Sequence, residues 1–321
     1  MTQNLFLSTV TGTKTNKTPI WMLRQAGRYL EEYKAIRATQ IEFISFCLNP
    51  EKASEVTLQP IHRFGFDAAI IFSDILMVPW ALDRNVRFEK NIGPILDAMD
   101  QPNEIPEKAL DSLSVKLAPI GEAVFKTKME LDPKIALIGF AGAPWTLITY
   151  MAEGGSSRDF PKARLWAWQE RKALEGLLEI LIAATIDFLT LQGQSGAQAL
   201  MLFDSWAGAV PAAQRDWLVT EPARKIIAGL RKNGLDQPVI GFPKGFGDGL
   251  IKYANESNVD AIGLDHGVDP VWAAKYLPES MPVQGNLDPI SLITGGSHMM
   301  SDIDVIMTAF HNRPHIFNLG H

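Results

Sequence analysis

The segment Pro19-Ile-Trp-Met-Leu-Arg-Gln-Ala-Gly-Arg28 holds the densest chemistry in this 321-residue chain, with Arg24 and Arg28 four residues apart. A helical or turn-like conformation at that spacing presents both guanidiniums on one side. Two forked, permanent cations side by side suit a ligand with several carboxylates or phosphates. The bland reading is two surface arginines pairing with Glu31 and Glu32. Against it, Trp21 and Gly27 point to a shaped loop.

A second group is Ile70-Ile-Phe-Ser-Asp-Ile-Leu76, where Asp74 directly follows an apolar run. Two readings stay open. Asp74 caps the next helix, or it is a desolvated anion that binds donors or stabilises a developing cation. The third group is Gly139-Phe-Ala-Gly-Ala-Pro-Trp-Thr-Leu-Ile-Thr-Tyr-Met-Ala-Glu-Gly154. Its glycines and Pro144 form a tight strand-to-helix turn, with Tyr150 one helical turn beyond Thr146. The fourth is Phe203-Asp-Ser-Trp-Ala-Gly208, whose Ser205 lacks the flanking glycines of a nucleophile elbow and reads as a hydrogen-bonding residue.

Four of the eight tryptophans, Trp21, Trp80, Trp145 and Trp206, fall in or just after these segments. Core filling accounts for most tryptophans, yet four near one rim suit a cleft for a large, flat, apolar ring. Gly241-Phe-Pro-Lys-Gly-Phe-Gly-Asp-Gly249 matches neither the Walker A nor the dinucleotide fingerprint and reads as a flexible loop. His311 and His315 are separated by Pro314, which argues against a shared helical metal face, so no metal site is read. His266 beside Asp265 is half of an acid–base pair at best, with capping or core packing the plainer account.

These residues need a scaffold. A short apolar, β-branched run ending in Gly, Ser, Asp or Asn is repeatedly followed by a helical segment. The runs are Ile20–Leu23, Ala68–Phe72, Ile135–Phe140, Ala199–Phe203, Val239–Phe242, Ala261–Leu264, Val283 and Ile316-Phe317. Continuous apolar strands alternating with helices imply a parallel sheet buried on both faces. Eight such units close into an α/β barrel, with the polar residues gathered at the C-terminal strand ends where barrel sites lie. A doubly wound open sheet is the rival.

Asn49-Pro50-Glu51 opens a helix running to about Phe64, with Asn49 as N-cap and Pro50 at its first position. Arg158 to Leu191 reads as one or two long helices. The stretch from Asp97 to Lys134, with Pro102, Pro106, Pro119 and Pro133, reads as helices inserted between the second and third strands.

Composition bounds the function. Hydrophobic residues make up 46% and charged residues 21%, as in a globular protein with a large core. Length alone suggests about two domains, but α/β barrels of this size are single, and no segment resembles a linker. Residues 1–321 therefore read as one domain. A lone cysteine, Cys47, excludes an internal disulfide and any Cys-rich zinc or iron–sulfur site, and suits a reducing compartment. The first twenty residues show no secretory signal. Glu175, Glu179 and Asp187 make the apolar stretch Leu174 to Leu191 an amphipathic helix rather than a membrane span. A net charge of −6 disfavours nucleic acid as a partner.

Taken in order and at their separations, the Arg-Gln-Ala-Gly-Arg, Phe-Ser-Asp-Ile-Leu, Gly-Phe-Ala-Gly-Ala-Pro-Trp-Thr, Asp-Ser-Trp-Ala-Gly and Asn-Leu-Gly-His segments resemble the uroporphyrinogen decarboxylase family over essentially the whole chain. The resemblance implies a single, distorted (β/α)8 barrel of the TIM type with a helical insertion after its first strands. It also implies a cytoplasmic homodimer that needs neither metal nor organic cofactor. Its expected reaction removes CO2 from the four acetates of uroporphyrinogen III.

Carried onto this sequence, Asp74 contacts the pyrrole NH groups and Arg24 and Arg28 face the substrate carboxylates. Gln25 shapes their segment, while Tyr150, Ser205 and His321 hydrogen-bond around the substrate. Asp74, Arg24 and Tyr150 are the expected catalytic residues. Leu23 replaces the family's usual methionine, and Trp80 and Asp83 replace its glutamine and glycine. The family continues past the position of His321 through a glycine-led loop and a final helix, so a further helix is expected. Two rivals remain. A corrinoid-linked methyltransferase of the same superfamily would need zinc held by cysteine thiolate. A non-catalytic tetrapyrrole-binding protein would keep the pocket and lose turnover.

Overall fold

The computed structural model describes residues 4–40, 42–89 and 92–321. Among the described residues nine short strands form: β1 Ala68–Ile70, β2 Arg87–Glu89, β3 Gly93–Ile95, β4 Ala136–Gly142, β5 Ala199–Asp204, β6 Val239–Pro243, β7 Ala261–Gly263, β8 Val283–Gln284 and β9 His315–Ile316. Seven build one curled, all-parallel sheet in the order β1-β4-β5-β6-β7-β8-β9. Each new strand joins the same side of the last. A doubly wound sheet would reverse its order partway, and this one does not.

Every residue of β4, β5 and β6 is buried, as in parallel strands covered on both faces. The apolar runs read from the sequence are these strands. Ile20–Leu23 is the exception. It forms no strand, only a single bridge from Ile20 to Phe317. Pro19 has no N–H to give, and the Leu23 N–H is taken by the Asn318 side chain at 2.7 Å. Trp21 turns inward and donates from Nε1 to Gln284 Oε1 at 2.8 Å. The segment nevertheless touches both sheet edges. Phe317 N donates to Pro19 O at 2.9 Å beside β9, and Asp67 N to Ile20 O at 2.9 Å beside β1.

Local chemistry sets the helices. Asn49 accepts from Lys52 N at 2.9 Å, Pro50 begins the helix Pro50–Phe64, and Gly65 ends it in the left-handed conformation at φ 68°. The long apolar region becomes the helices Pro161–Gln169 and Arg171–Gln194. Glu175 and Glu179 sit on the exposed face of the second, paired with Arg171 and Lys225. Among the described residues, no helix is long and apolar enough to cross a membrane.

Between β1 and β4 lies the expected insertion, a 3-10 turn Glu107–Ser112 leading into the helix Leu113–Glu130, with Pro119 inside it. That helix packs on Pro50–Phe64, where Thr127 Oγ1 donates to Ser54 Oγ at 3.0 Å. The antiparallel pair β2–β3 in this region escaped the sequence reading. Its strands are three residues long, one charged at both ends and the other containing Pro94, which argues against a strand.

Candidate active site

The strand ladder of β1 ends where Phe72 N turns away to Thr57 Oγ1 at 2.9 Å. Two residues later, Asp74 Oδ1 accepts the Leu76 N–H at 2.9 Å, closing an Asx turn. This is not a helix cap, since the next helix starts at Met77 and has no side-chain cap. One carboxylate oxygen thus shapes the turn. The other has no hydrogen bond among the described residues. Burial pushes the Asp74 carboxyl up to about 6, against the Leu76 N–H and the Arg24 guanidinium, which both favour the anion. The side chain keeps some contact with solvent, so a ligand can reach it.

Arg24 and Arg28 sit in a run of bends and turns rather than a helix, so their spacing of four does not by itself align them. Both are exposed, and neither forms an ion pair among the described residues. Glu31 pairs instead with Lys34 at 2.6 Å and Glu32 with Arg63 at 3.0 Å, which removes the bland reading.

Gln25 holds the loop in place. Its amide donates to Ala68 O at 2.6 Å and accepts from Ile70 N at 3.1 Å, doing for the edge of β1 what a neighbouring strand would do. Buried and bonded at both ends of its amide, Gln25 anchors the loop to β1. Arg24 lies within Coulombic reach of Asp74, Tyr150, Lys244 and His321. Arg28 makes itself felt at Tyr33, on another side of the loop.

Tyr150 lies on the helix Pro144–Glu153 that follows β4. Burial raises its phenol above the ordinary value. The Trp206 indole works the other way, Asp74 adds to the rise, and Arg24 opposes it. The Tyr150 and Trp206 rings stand edge-on at 6.4 Å. Trp206 Nε1 is close to the phenol yet outside hydrogen-bonding geometry, and it has no partner among the described residues. Ser205, half-buried at the end of β5, makes no side-chain hydrogen bond among the described residues. Of the four rim tryptophans, Trp21 and Trp145 are wholly buried in the core, while Trp80 and Trp206 are partly exposed.

Beside Ser205 stands a residue the sequence reading passed over. Asp204 is buried and accepts from Thr146 Oγ1 at 2.5 Å. The same hydroxyl accepts the Trp206 N–H at 3.1 Å. Burial pushes the Asp204 carboxyl up to about 7, with the Thr146 hydroxyl and the Trp206 and Thr146 N–H groups resisting. This knot ties the loop after β4 to the loop after β5, and so sets Tyr150 against Trp206.

The other side of the rim is basic. Lys244 follows β6, and His321 follows Gly320 at the end of the β9 segment. Asp265 between them is a structural anion. Its two oxygens accept Gly245 N at 2.7 Å and Gly267 N at 2.8 Å, settling its role as a loop cap. That bond also anchors the glycine-rich loop after β6. Burial pushes the exposed-edge imidazole of His321 down to about 4, helped by Lys244, Arg24 and His266 and opposed by Asp265. His315 is unrelated to the rim cations, being buried with Nε2 2.7 Å from Gly285 O.

The structure thus gathers Asp74, Arg24, Tyr150 and His321 at one end of the sheet, with Ser205 beside them and Arg28 further off. Lys244 and Asp204 were missed. Their signal was position directly after an apolar strand.

The chain is similar to known proteins over its whole length. The uroporphyrinogen decarboxylase (URO-D) family model matches residues 1–321. The uroporphyrinogen decarboxylase of Maricaulis maris is 45% identical over 321 residues, covering 100% of this chain and 93% of that one. That of Sphingopyxis alaskensis is 46% identical over 318 residues, covering 98% and 92%. Among solved structures, a methyltransferase from Methanosarcina mazei superimposes with a TM-score of 0.80 over 98% of this chain and 91% of that chain. At 13% identity, this is a likeness of fold alone. The chain belongs to the uroporphyrinogen decarboxylase family.

Proposed function

We propose that this chain is a carboxy-lyase converting uroporphyrinogen III to coproporphyrinogen III, one acetate at a time. The observation that carries the reading is Asp74, a carboxylate with a free oxygen on a basic rim, in a chain whose full length matches the family.

Decarboxylation of an acetate needs an acceptor for the electron pair of the breaking C–C bond. Protonating the pyrrole carbon next to the acetate makes a cationic, imine-like acceptor within the substrate itself. CO2 leaves and the pair flows to that cation. Protonation of the exocyclic carbon and loss of the ring proton then give the methyl group, with one proton consumed overall. The Asp74 anion accepts the pyrrole NH groups and stabilises the cation in a poorly hydrated site. Arg24 lies close enough to pair with the departing carboxylate or relay a proton, and Tyr150 stands in the same field. Ser205 and His321 offer hydrogen bonds at the rim, and Arg28 adds a more distant cation.

In this reading the protein works without a cofactor. Cys47 is wholly buried with its thiol pushed well up by burial, so it offers no thiolate to a methyltransferase-type zinc. The scaffold is read as one domain and as a distorted (β/α)8 barrel. Support comes from the Pro19–Trp21 segment, which bonds to both edge strands where an eighth strand would lie. A cytoplasmic homodimer completes the proposal, on the strength of family membership.

The test is incubation with chemically reduced uroporphyrinogen and chromatographic counting of carboxylates. Accumulation of the four-carboxylate product is expected. Unchanged substrate that still binds would make this a tetrapyrrole-binding protein instead.

A further inference from the structure

Lys244 stands at the C-terminal end of β6, half-buried, with no ion pair and no side-chain hydrogen bond among the described residues. Its backbone is fixed on both sides. Lys244 N donates to Asp204 O at 3.0 Å, and Lys244 O accepts from Gly208 N at 2.9 Å. Close packing holds that contact, since a Cβ on Gly208 would lie 2.7 Å from Gly245 O. The next N–H, that of Gly245, is bound by Asp265 Oδ2 at 2.7 Å.

From the far end of the chain, Gly320 packs directly on the same place. A Cβ there would lie 2.2 Å from His266 N and 2.8 Å from Asp265 C. His321 is therefore delivered to the Lys244 neighbourhood by a contact only glycine permits. Arg24 is delivered from a third direction, its loop held by the Leu23 N to Asn318 Oδ1 bond at 2.7 Å. Three basic side chains, with exposed His266 beside them, converge around one carboxylate whose two oxygens are already bound to backbone N–H groups.

Among the described residues, Lys244 and Arg24 share this space with only the carboxylate of Asp265, whose oxygens are already taken by backbone N–H groups, and a free lysine head would swing into water unless its site were shaped for an anion. We propose that Lys244, with Arg24 and His321, forms a carboxylate-binding subsite that grips one acidic side chain of the substrate while Asp74 and Tyr150 face the ring. This rests on the decarboxylase reading and names a residue that reading does not require. The mutual Coulombic influence of Lys244, Arg24 and His321 agrees with the geometry.

The test compares wild type, Lys244→Gln and Lys244→Arg in steady-state decarboxylation at several ionic strengths. Wild-type turnover is the control on the decarboxylase reading, and its absence would sink that reading rather than this one. With an active wild type, Lys244→Gln should raise KM about tenfold, the worth of one charge-assisted contact, and flatten the salt dependence of KM. Its kcat should change little, and Lys244→Arg should recover most of the binding. Neither variant should lose thermal stability, since the ammonium has no partner within the protein. An unchanged KM in Lys244→Gln, a loss confined to kcat, or failure of Lys244→Arg to recover binding would each overturn the subsite.

Discussion

Replacing Asp74 with Asn should make this protein more stable and nearly inactive, and the gain should depend on pH. Asn keeps the shape of the side chain and an oxygen for the Leu76 N–H. It removes only the charge. Burial holds the Asp74 carboxyl at about 6 in the fold against an ordinary 3.8. A carboxyl raised on folding binds its proton more tightly in the native state, so its contribution is most favourable below the unfolded value. That contribution is lost as pH climbs through about 6.

At about 1.4 kcal/mol per tenfold, the interval corresponds to about 3 kcal/mol of native-state cost at pH 8. Residual solvent contact screens part of it, giving an expected gain for Asp74→Asn of about 1–3 kcal/mol at pH 8 and near zero at about pH 4. The assay is urea unfolding of both proteins across that range. The difference between them cancels His315 and His321, whose values near 4 work in the opposite direction. Turnover at pH 8 should fall at least about a hundredfold, the scale of deleting one electrostatic stabiliser. The wild-type kcat/KM should also decline as pH drops through about 6, a limb absent from the variant. A variant as active as wild type, or one no more stable at pH 8 than at pH 4, would refute the reasoning.

Four further outcomes follow from the same geometry. Arg24→Ala should lower kcat, because Arg24 shares the field of Asp74 and Tyr150, while Arg28→Ala should chiefly raise KM; steady-state kinetics showing the reverse would exchange their roles. Thr146→Val strips the buried Asp204 carboxyl of its hydroxyl donor and Trp206 of an acceptor, and should cost about 1–3 kcal/mol in urea unfolding, more at pH 8 than at pH 5. His321→Asn should raise KM with no change in melting temperature, since the imidazole is exposed and bonded to nothing in the chain. Dialysis against a strong chelator should leave turnover intact, and a loss restored by zinc would favour the methyltransferase reading.

What the sequence disclosed was whatever depends on near neighbours. Asn49, Pro50 and Gly65 mark a helix because capping, a missing N–H and a left-handed turn are all decided within a few residues. β4, β5 and β6 are legible because strands covered on both faces must be apolar throughout. Ile20–Leu23 looks equally strand-like and is not, because its fate turns on Asn318 and Gln284 at the other end of the chain. The two arginines were right in type, but their relation was not set by their spacing. Gln25 decides it by binding to β1. Asp204 and Lys244 gave only a positional sign, each standing directly after an apolar run. A carboxyl stands out in this protein only once a fold buries it, and a lysine only once a fold sets another cation beside it.

Several features that lower stability gather at one end of the sheet. Two carboxyls whose protonated form burial favours, Asp74 and Asp204, lie in the turn after β1 and at the end of β5. The unpaired Lys244 and Arg24 lie at the same end of the sheet. So do several buried polar atoms that find no partner among the described residues: Ser73 Oγ after β1, Trp206 Nε1 after β5, Asn286 Oδ1 after β8 and Asn318 Nδ2 after β9. Each of these lowers stability on its own, and a fold under no other demand would replace them. In the proposed reading, a ligand with a ring of NH donors and a fringe of carboxylates would bring donors to Asp74 and counter-charges to Lys244 and Arg24. That coincidence at one rim, rather than any single residue, is the physical reason to place the chemistry there.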